Sequence, residues 1–279
     1  MKRILNTILV SIVILTVSIL QLVAAQQQAI KSNTGIAYNL VGKGDLIVFV
    51  HGSNLDQRMW FEQNRYFANF AKVLTYDLRG LGSSEAPSET YSDVDDLNHL
   101  LDELGESELT LVGLSSGVQV ALDFAALNPK KVNKLVLVSP SLNGYTPKEN
   151  PPYLSELIKA LRQRDFDQAN EVLLNSEIMS VPMQHEELVR DMVYASRQWS
   201  LRYDLIRQNT DPVISNLEDI ETSTLILIGE NDVSAIKDLG SLLERELVNA
   251  DLVTVLSGRH LLNLSSKEIF NEKIHQFIQ

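Results

Sequence analysis

A serine set between glycines, Gly113-Leu114-Ser115-Ser116-Gly117, is the residue of this chain best placed to do chemistry. The apolar run Leu109-Thr110-Leu111-Val112 leads into it, and the helix-compatible stretch Val118-Gln119-Val120-Ala121-Leu122 leads out. A serine held in so sharp a strand-to-helix turn needs neighbours without bulk, because the turn draws the flanking backbone together and strains the serine itself. Gly113 and Gly117 meet that need. The turn lifts the hydroxyl clear of the sheet to a helix N-terminus, where the Ser116 N–H faces a developing oxyanion. Such a hydroxyl attacks carbonyl carbon. Alone, however, the string is more often a turn of small residues than a nucleophile, so its partners decide.

A serine hydroxyl needs a base, and the base needs a group that fixes its tautomer. The chain has 5 histidines. His99 falls on a solvated position of a helical pattern built on Val94, Leu97, Leu101 and Leu104; His185 and His275 have no motif around them; His51 closes the run Leu46–Val50 and precedes Gly52 at a strand end. His260 follows the run 252–256 through Ser257-Gly258-Arg259, a short distance past a strand. It is the candidate base. The orienting acid comes from Thr224-Leu225-Ile226-Leu227-Ile228-Gly229-Glu230-Asn231-Asp232, a buried-type strand, a turn glycine and a carboxylate. Asp232 is preferred there to Glu230, which follows the glycine at once and points more readily to solvent. The other strand end that might offer an acid, after Lys134–Val138, continues Ser139-Pro140-Ser141-Leu142 with none.

The elements that must position these residues alternate in type. Apolar runs at 46–50, 72–76, 109–113, 134–138, 224–228 and 251–256 lack polar alternation, as strands covered on both faces do. Helical patterns lie near 57–70, 92–104, 115–127, 235–248 and 266–278. Short runs at 29–31 and 36–41 around Asn33-Thr34-Gly35 predict an antiparallel edge hairpin. This is βαβ winding: an α/β fold with a doubly wound, mostly parallel sheet of about eight strands.

Residues 139–221 hold no strand-like run, and a structureless connection of that size is rare. Leu154, Leu157, Ile158 and Leu161 share a helix face, as do Phe166, Ala169, Val172 and Leu173, and then Leu188, Met192 and Ala195. They predict a helical cap over 144–215, leaving the first part of the core at 26–143 and the second at 216–279. Its entry is turn-rich through Pro151-Pro152 and its exit is Asp211-Pro212. Tyr145, Met179, Met183, Trp199 and Tyr203 are candidates to face a pocket, although such residues more often pack within a cap.

With these motifs in place, the chain after residue 26 resembles the α/β-hydrolase superfamily. The order Ser115, Asp232, His260 is that family's order of nucleophile, acid and base. Four signatures carry the resemblance: His51-Gly52, the string Asp77-Leu78-Arg79-Gly80-Leu81-Gly82-Ser83-Ser84, the turn at Ser115, and Gly258-Arg259-His260. It implies that Ser53 supplies the second oxyanion N–H beside that of Ser116, with Asn54 as the alternate, and that Asp77 and Arg79 organise a loop. Leu114, Ser116 and Arg259 depart from residues frequent in relatives at those positions. Epoxide opening and dehalogenation are disfavoured, since relatives with those activities carry aspartate where Ser115 stands.

Composition fits a cofactor-free enzyme. With 279 residues, 44% of them hydrophobic, the chain buries one large core. The net charge is −12, and the two cations Lys2 and Arg3 in a leader without acids leave −14 on the remainder, so nucleic acid is not an expected partner. Cysteine is absent and no His/Asp/Glu group has metal-ligand spacing, so neither a cofactor nor a metal is expected. Met1-Lys2-Arg3 opens an apolar stretch from Ile4 to Val23 that ends at Ala24-Ala25-Gln26. Residues 1–25 read as a signal peptide for export to a periplasm or the exterior, with an uncleaved membrane anchor as the alternative.

The expected activity is serine-dependent hydrolysis of a small, mostly apolar ester or lactone. The alternatives are carbon–carbon bond hydrolysis, perhydrolysis or proline-type aminopeptidase chemistry on the same scaffold, and a ligand-binding protein without catalysis.

Overall fold

The computed structural model describes residues 30–196 and 215–279. The leader, Trp199, Tyr203 and the Asp211-Pro212 exit lie outside those residues. Lys31–Gln279 forms one compact unit, and no helix among the described residues is long and apolar enough to cross a membrane.

The chain opens with β1 (Ile30–Lys31) and reverses through a turn in which the Ser32 N–H donates to the Ile36 carbonyl at 2.9 Å. β2 (Ala37–Gly42) then runs antiparallel to β4 (Lys72–Tyr76). β3 (Leu46–Val50), β5 (Leu109–Leu114), β6 (Val132–Val138), β7 (Thr224–Gly229) and β8 (Ala250–Val255) complete a sheet of order β1-β2-β4-β3-β5-β6-β7-β8. From β4 to β8 all pairs are parallel. The central strands are buried throughout, which is why they lack polar alternation. β8 differs from its expectation: Asp251 and Thr254 are exposed, because an edge strand has a neighbour on one side alone.

The crossovers are helical. A 3-10 turn at Gln57–Trp60 leads into α1 (Phe61–Phe67), so the helical pattern near 57–70 resolves into two pieces. α2 (Asp93–Leu104) starts at Ser92, whose hydroxyl accepts the Asp95 N–H. α3 (Ser116–Leu127) follows β5 directly. Alternate residues of each strand face opposite layers: Val48 and Val50 join one core cluster with Leu97, Leu100 and Val118, while Ile47 and Phe49 join another with Trp60, Phe67 and Phe270.

After turns over 140–153, the long connection beyond β6 carries α4 (Leu154–Arg162), α5 (Phe166–Leu174), a 3-10 turn at Glu177–Met179 and α6 (Met183–Ala195) among its described residues. Leu157, Ala160, Ala169 and Val172 form a small core of their own, and Ile158 turns outward. The buried face of α6 is His185, Val189, Met192 and Val193, not Leu188, Met192 and Ala195. His185 completes an i, i+4, i+7, i+8 stripe that a polar reading of its neighbourhood hides. Beyond β7 come α7 (Ser234–Glu246), and beyond β8 the short α8 (Leu262–Ser265) and α9 (Lys267–Ile278).

β3 lies between β4 and β5, so the chain winds outward from β3 to β4, crosses back over β3 to β5, and continues in the opposite direction across the sheet. The crevice at the carboxyl ends of β3 and β5 is the switch point where open α/β sheets take their ligands.

Candidate active site

Ser115 sits in that crevice, between β5 and α3, at φ 54° and ψ −119°. A non-glycine residue there costs about 1–3 kcal/mol, so the surrounding packing has to impose it. The Ser115 N–H donates to the Val138 carbonyl at 2.9 Å, and the Ser115 carbonyl accepts from Val118 at 2.9 Å and Ser141 at 3.2 Å. The glycines are needed for the approach. A Cβ on Gly117 would come within 2.5 Å of the Val50 carbonyl oxygen, and one on Gly113 would fall on the carbonyl of Gly117.

The loop after β3 passes close over this turn, since a Cβ on Gly52 would already touch the Ser115 Cβ at 3.3 Å. His51 fixes that loop. The Leu78 N–H donates to its Nε2 at 3.0 Å, which leaves the proton on Nδ1 to be donated to the Gly52 carbonyl at 2.8 Å. His51 is thus a buried structural ring. Asp77 accepts the Gln57 and Ser83 N–H groups at 2.8 Å each, and Arg79 pairs with Asp96 while donating to the Thr34 carbonyl at 3.1 Å. Both organise loops, and neither lines the pocket.

Asp232 and His260 meet beneath the crevice. His260 Nδ1 is 3.0 and 3.1 Å from the two Asp232 carboxylate oxygens, with both residues buried. Burial pushes the Asp232 carboxyl up, but the facing His260 charge, the His260 hydrogen bond, the adjacent Ser139 hydroxyl and the Val233 N–H together hold it below the usual carboxylate range. With Nδ1 directed at the carboxylate, Nε2 is the basic nitrogen. Glu230 goes elsewhere and accepts the Ser257 N–H at 2.9 Å.

Ser139, at the end of β6, is neither an acid nor part of a motif that would mark it in the sequence. It is fully buried at φ 45°, and its Oγ lies against Asp232 without the geometry of a full hydrogen bond. Its positive φ follows from the chain turning sharply off the strand.

Ser115, Ser116, Ser53, Asn54 and His260 all line one cavity of about 320 Å³. The helical insertion contributes Tyr153, Leu154, Leu157, Leu173, Ile178 and Met179 to its wall. Of the aromatic and methionine candidates, Tyr145 and Met179 line it, whereas Met183 is 82% exposed. Among the described residues no Asp, Glu, Lys or Arg faces the cavity. The Tyr153 hydroxyl is pushed up to about 12 by burial, with Glu177 and Asp232 adding to it, so it stays a neutral donor. Arg259 reaches away, donating to Ser180 Oγ at 2.8 Å. No metal-ligating cluster occurs among the described residues.

A sequence model described as the alpha/beta hydrolase family matches residues 47–272. The chain belongs to the α/β hydrolase family. Among its curated relatives is a 2-hydroxy-6-oxononadienedioate/2-hydroxy-6-oxononatrienedioate hydrolase of Burkholderia vietnamiensis, 28% identical, with 88% of this chain and 91% of the relative covered. Similar solved structures include an esterase from Exiguobacterium antarcticum (TM-score 0.73, 22% identity, 87% of this chain and 95% of that one). An enol-lactonase from Burkholderia xenovorans superposes equally well (TM-score 0.73, 20% identity, 87% and 96%). At such identities the two structures speak for the fold. With its family and its hydrolase relatives, this α/β hydrolase is a hydrolytic enzyme.

Proposed function

We propose that this hydrolase cleaves small, uncharged carboxylic esters or lactones through an acyl-enzyme on Ser115. The observation that carries the reading is the buried Asp232–His260 pair opening onto the same cavity as a serine held at positive φ. In the reaction, Ser115 Oγ attacks the acyl carbon while His260 Nε2 takes its proton and Asp232 stabilises the imidazolium. The Ser53 and Ser116 N–H groups hold the oxyanion; losing one such donor typically costs about 3–4 kcal/mol of transition-state stabilisation. His260 then protonates the leaving alkoxide, and water activated by the same nitrogen releases the acid.

The wall of the cavity favours this substrate class over a dicarboxylate. A substrate carboxylate desolvated in the pocket needs a cation beside it, and the described lining offers none. Leu154, Leu157, Leu173 and Ile178 suit an aliphatic acyl chain, and the insertion acts as a cap that encloses it.

A fluorophosphonate probe tests the reading. Labelling of the folded protein that disappears in Ser115→Ala, together with hydrolysis of short p-nitrophenyl esters, supports it; a folded wild type that neither labels nor hydrolyses them overturns it. The leader places the domain outside the cytoplasm in this reading, and an intact mass beginning at Gln26 is the expected outcome for the exported protein. A full-length mass in the membrane fraction would identify an anchor instead.

A further inference from the structure

Behind the site, three buried side-chain amides join segments some 200 residues apart. Gln63 on α1 donates through Nε2 to the Asn263 carbonyl at 3.1 Å and to Asn271 Oδ1 at 3.0 Å. Asn263 on α8 donates through Nδ2 to the Met59 carbonyl at 2.8 Å and to Gln63 Oε1 at 3.5 Å. Gln63 and Asn263 are 0% exposed and Asn271 is 6% exposed, within a cluster that also holds Met59, Trp60, Leu262, Leu264 and Phe270.

The placement of these amides gives them a task. Met59 and Gln63 follow the Ser53 loop through the 3-10 turn and the start of α1, where the Met59 N–H is fixed to the Asp56 carbonyl at 3.1 Å. Asn263 follows His260 by one short turn, in which the Leu262 N–H donates to the His260 carbonyl at 3.0 Å. A hydrogen bond is directional and fails beyond a few tenths of an ångström, whereas apolar contacts tolerate sliding. The network therefore sets a distance that packing alone would leave loose. It also carries a penalty: Asn263 Oδ1 is buried without a partner among the described residues, a burden an apolar side chain would not impose.

We propose that Gln63, Asn263 and Asn271 form a positioning clamp that fixes the oxyanion loop relative to His260, acting through those two segments and touching no substrate. The proposal rests on the serine-hydrolase reading above. It is tested with the full chain by substituting Asn263→Leu, Gln63→Met and Asn271→Leu, apolar replacements of similar length that remove the amide. Ester kcat and KM, the rate constant of fluorophosphonate labelling and the melting temperature are measured. Leu100→Ala, in the opposite core cluster, supplies a control whose melting temperature falls without disturbing the clamp.

Asn263→Leu and Gln63→Met are expected to lower kcat by about tenfold or more with KM within about twofold, and to slow labelling by the same factor. Asn271→Leu leaves the Gln63–Asn263 bond in place, so a smaller loss of the same kind is expected; it carries the test should either inner variant fail to fold. Variants that melt lower yet retain wild-type kcat and labelling rate, as Leu100→Ala does, overturn the clamp. A wild type that does not label at all overturns the serine reading and the clamp with it.

Discussion

The Asn231 N–H donates to the Gly258 carbonyl at 2.9 Å, joining the loop that carries Asp232 to the loop that carries His260. Next to it the Glu230 carboxylate holds the Ser257 N–H, and Gly229 packs directly on Gly258. The loops of Asp232 and His260 are thus held in register by contacts other than that between the two side chains.

Gly229→Ala should break that registration. The added Cβ would lie 2.5 Å from the Gly258 carbonyl oxygen and 2.8 Å from the Arg259 nitrogen, both main-chain atoms that cannot move aside cheaply. A loss of about 1–3 kcal/mol in stability is expected from such overpacking, with kcat falling further than KM changes. Chemical denaturation and ester kinetics on the same preparation check both.

Asp232→Asn keeps the size of the side chain and removes its charge. Expected is a fall in kcat on the order of 10³ to 10⁴, because the imidazolium loses its counter-charge and the ring its preferred tautomer. The wild-type protein should also show an acid-side signature. As the folded carboxyl ionises below its ordinary range, the stability it contributes is complete above that range and is lost as pH falls through the depressed folded value. Denaturation followed across the acid limb should lose this slope in the variant.

Ser115→Gly should abolish hydrolysis and raise stability. Glycine removes a strain of about 1–3 kcal/mol at φ 54°, against about 0.5–1 kcal/mol for its greater freedom when unfolded. A gain of about 1 kcal/mol is expected, whereas Ser115→Ala, equally strained, should show none. Paired urea titrations distinguish the two.

His185 predicts a second pH effect. Burial lowers its imidazole, the nearby Glu62, which favours the charged ring, does not reverse that, and Lys267 adds to it; Glu62 and Lys267 are themselves paired at 2.6 Å. Its Nε2 has no partner among the described residues, and its ring meets Phe61 edge-on at 5.8 Å. A base depressed in the folded state is protonated more readily when unfolded. Stability should therefore fall as pH drops through the ordinary histidine value, about 6.5, and stop falling below the folded one. His185→Leu should flatten that slope in melting temperature between about pH 7 and 5.

What could be read in the chain depended on the range of the interaction. The strand-to-helix turn at Ser115 is legible because its glycines and its flanking strand and helix are contiguous, and the βαβ order follows from runs that are each local. Asp232 over Glu230 was a matter of two residues past a strand end, and the structure directs the first to His260 and the second to Ser257. Ser139 left no local trace, since a serine at a strand end has many bland uses. The Gln63–Asn263–Asn271 network was invisible because no pattern within a window links positions so distant. The face of α6 is hidden for a related cause: His185 has no motif around it in the sequence, while its ring packs on Phe61 of another helix.

The absence of charge from the described cavity wall bears on the end of the reaction as well as its start. In the proposed reaction ester and alcohol are neutral, but deacylation would yield a carboxylate, an anion formed beside a described wall that carries no cation. A net charge of −12 adds long-range repulsion of such an anion rather than retention of it. Under that proposal, weak inhibition by the released acid is the expected outcome, read from ester progress curves with the acid added.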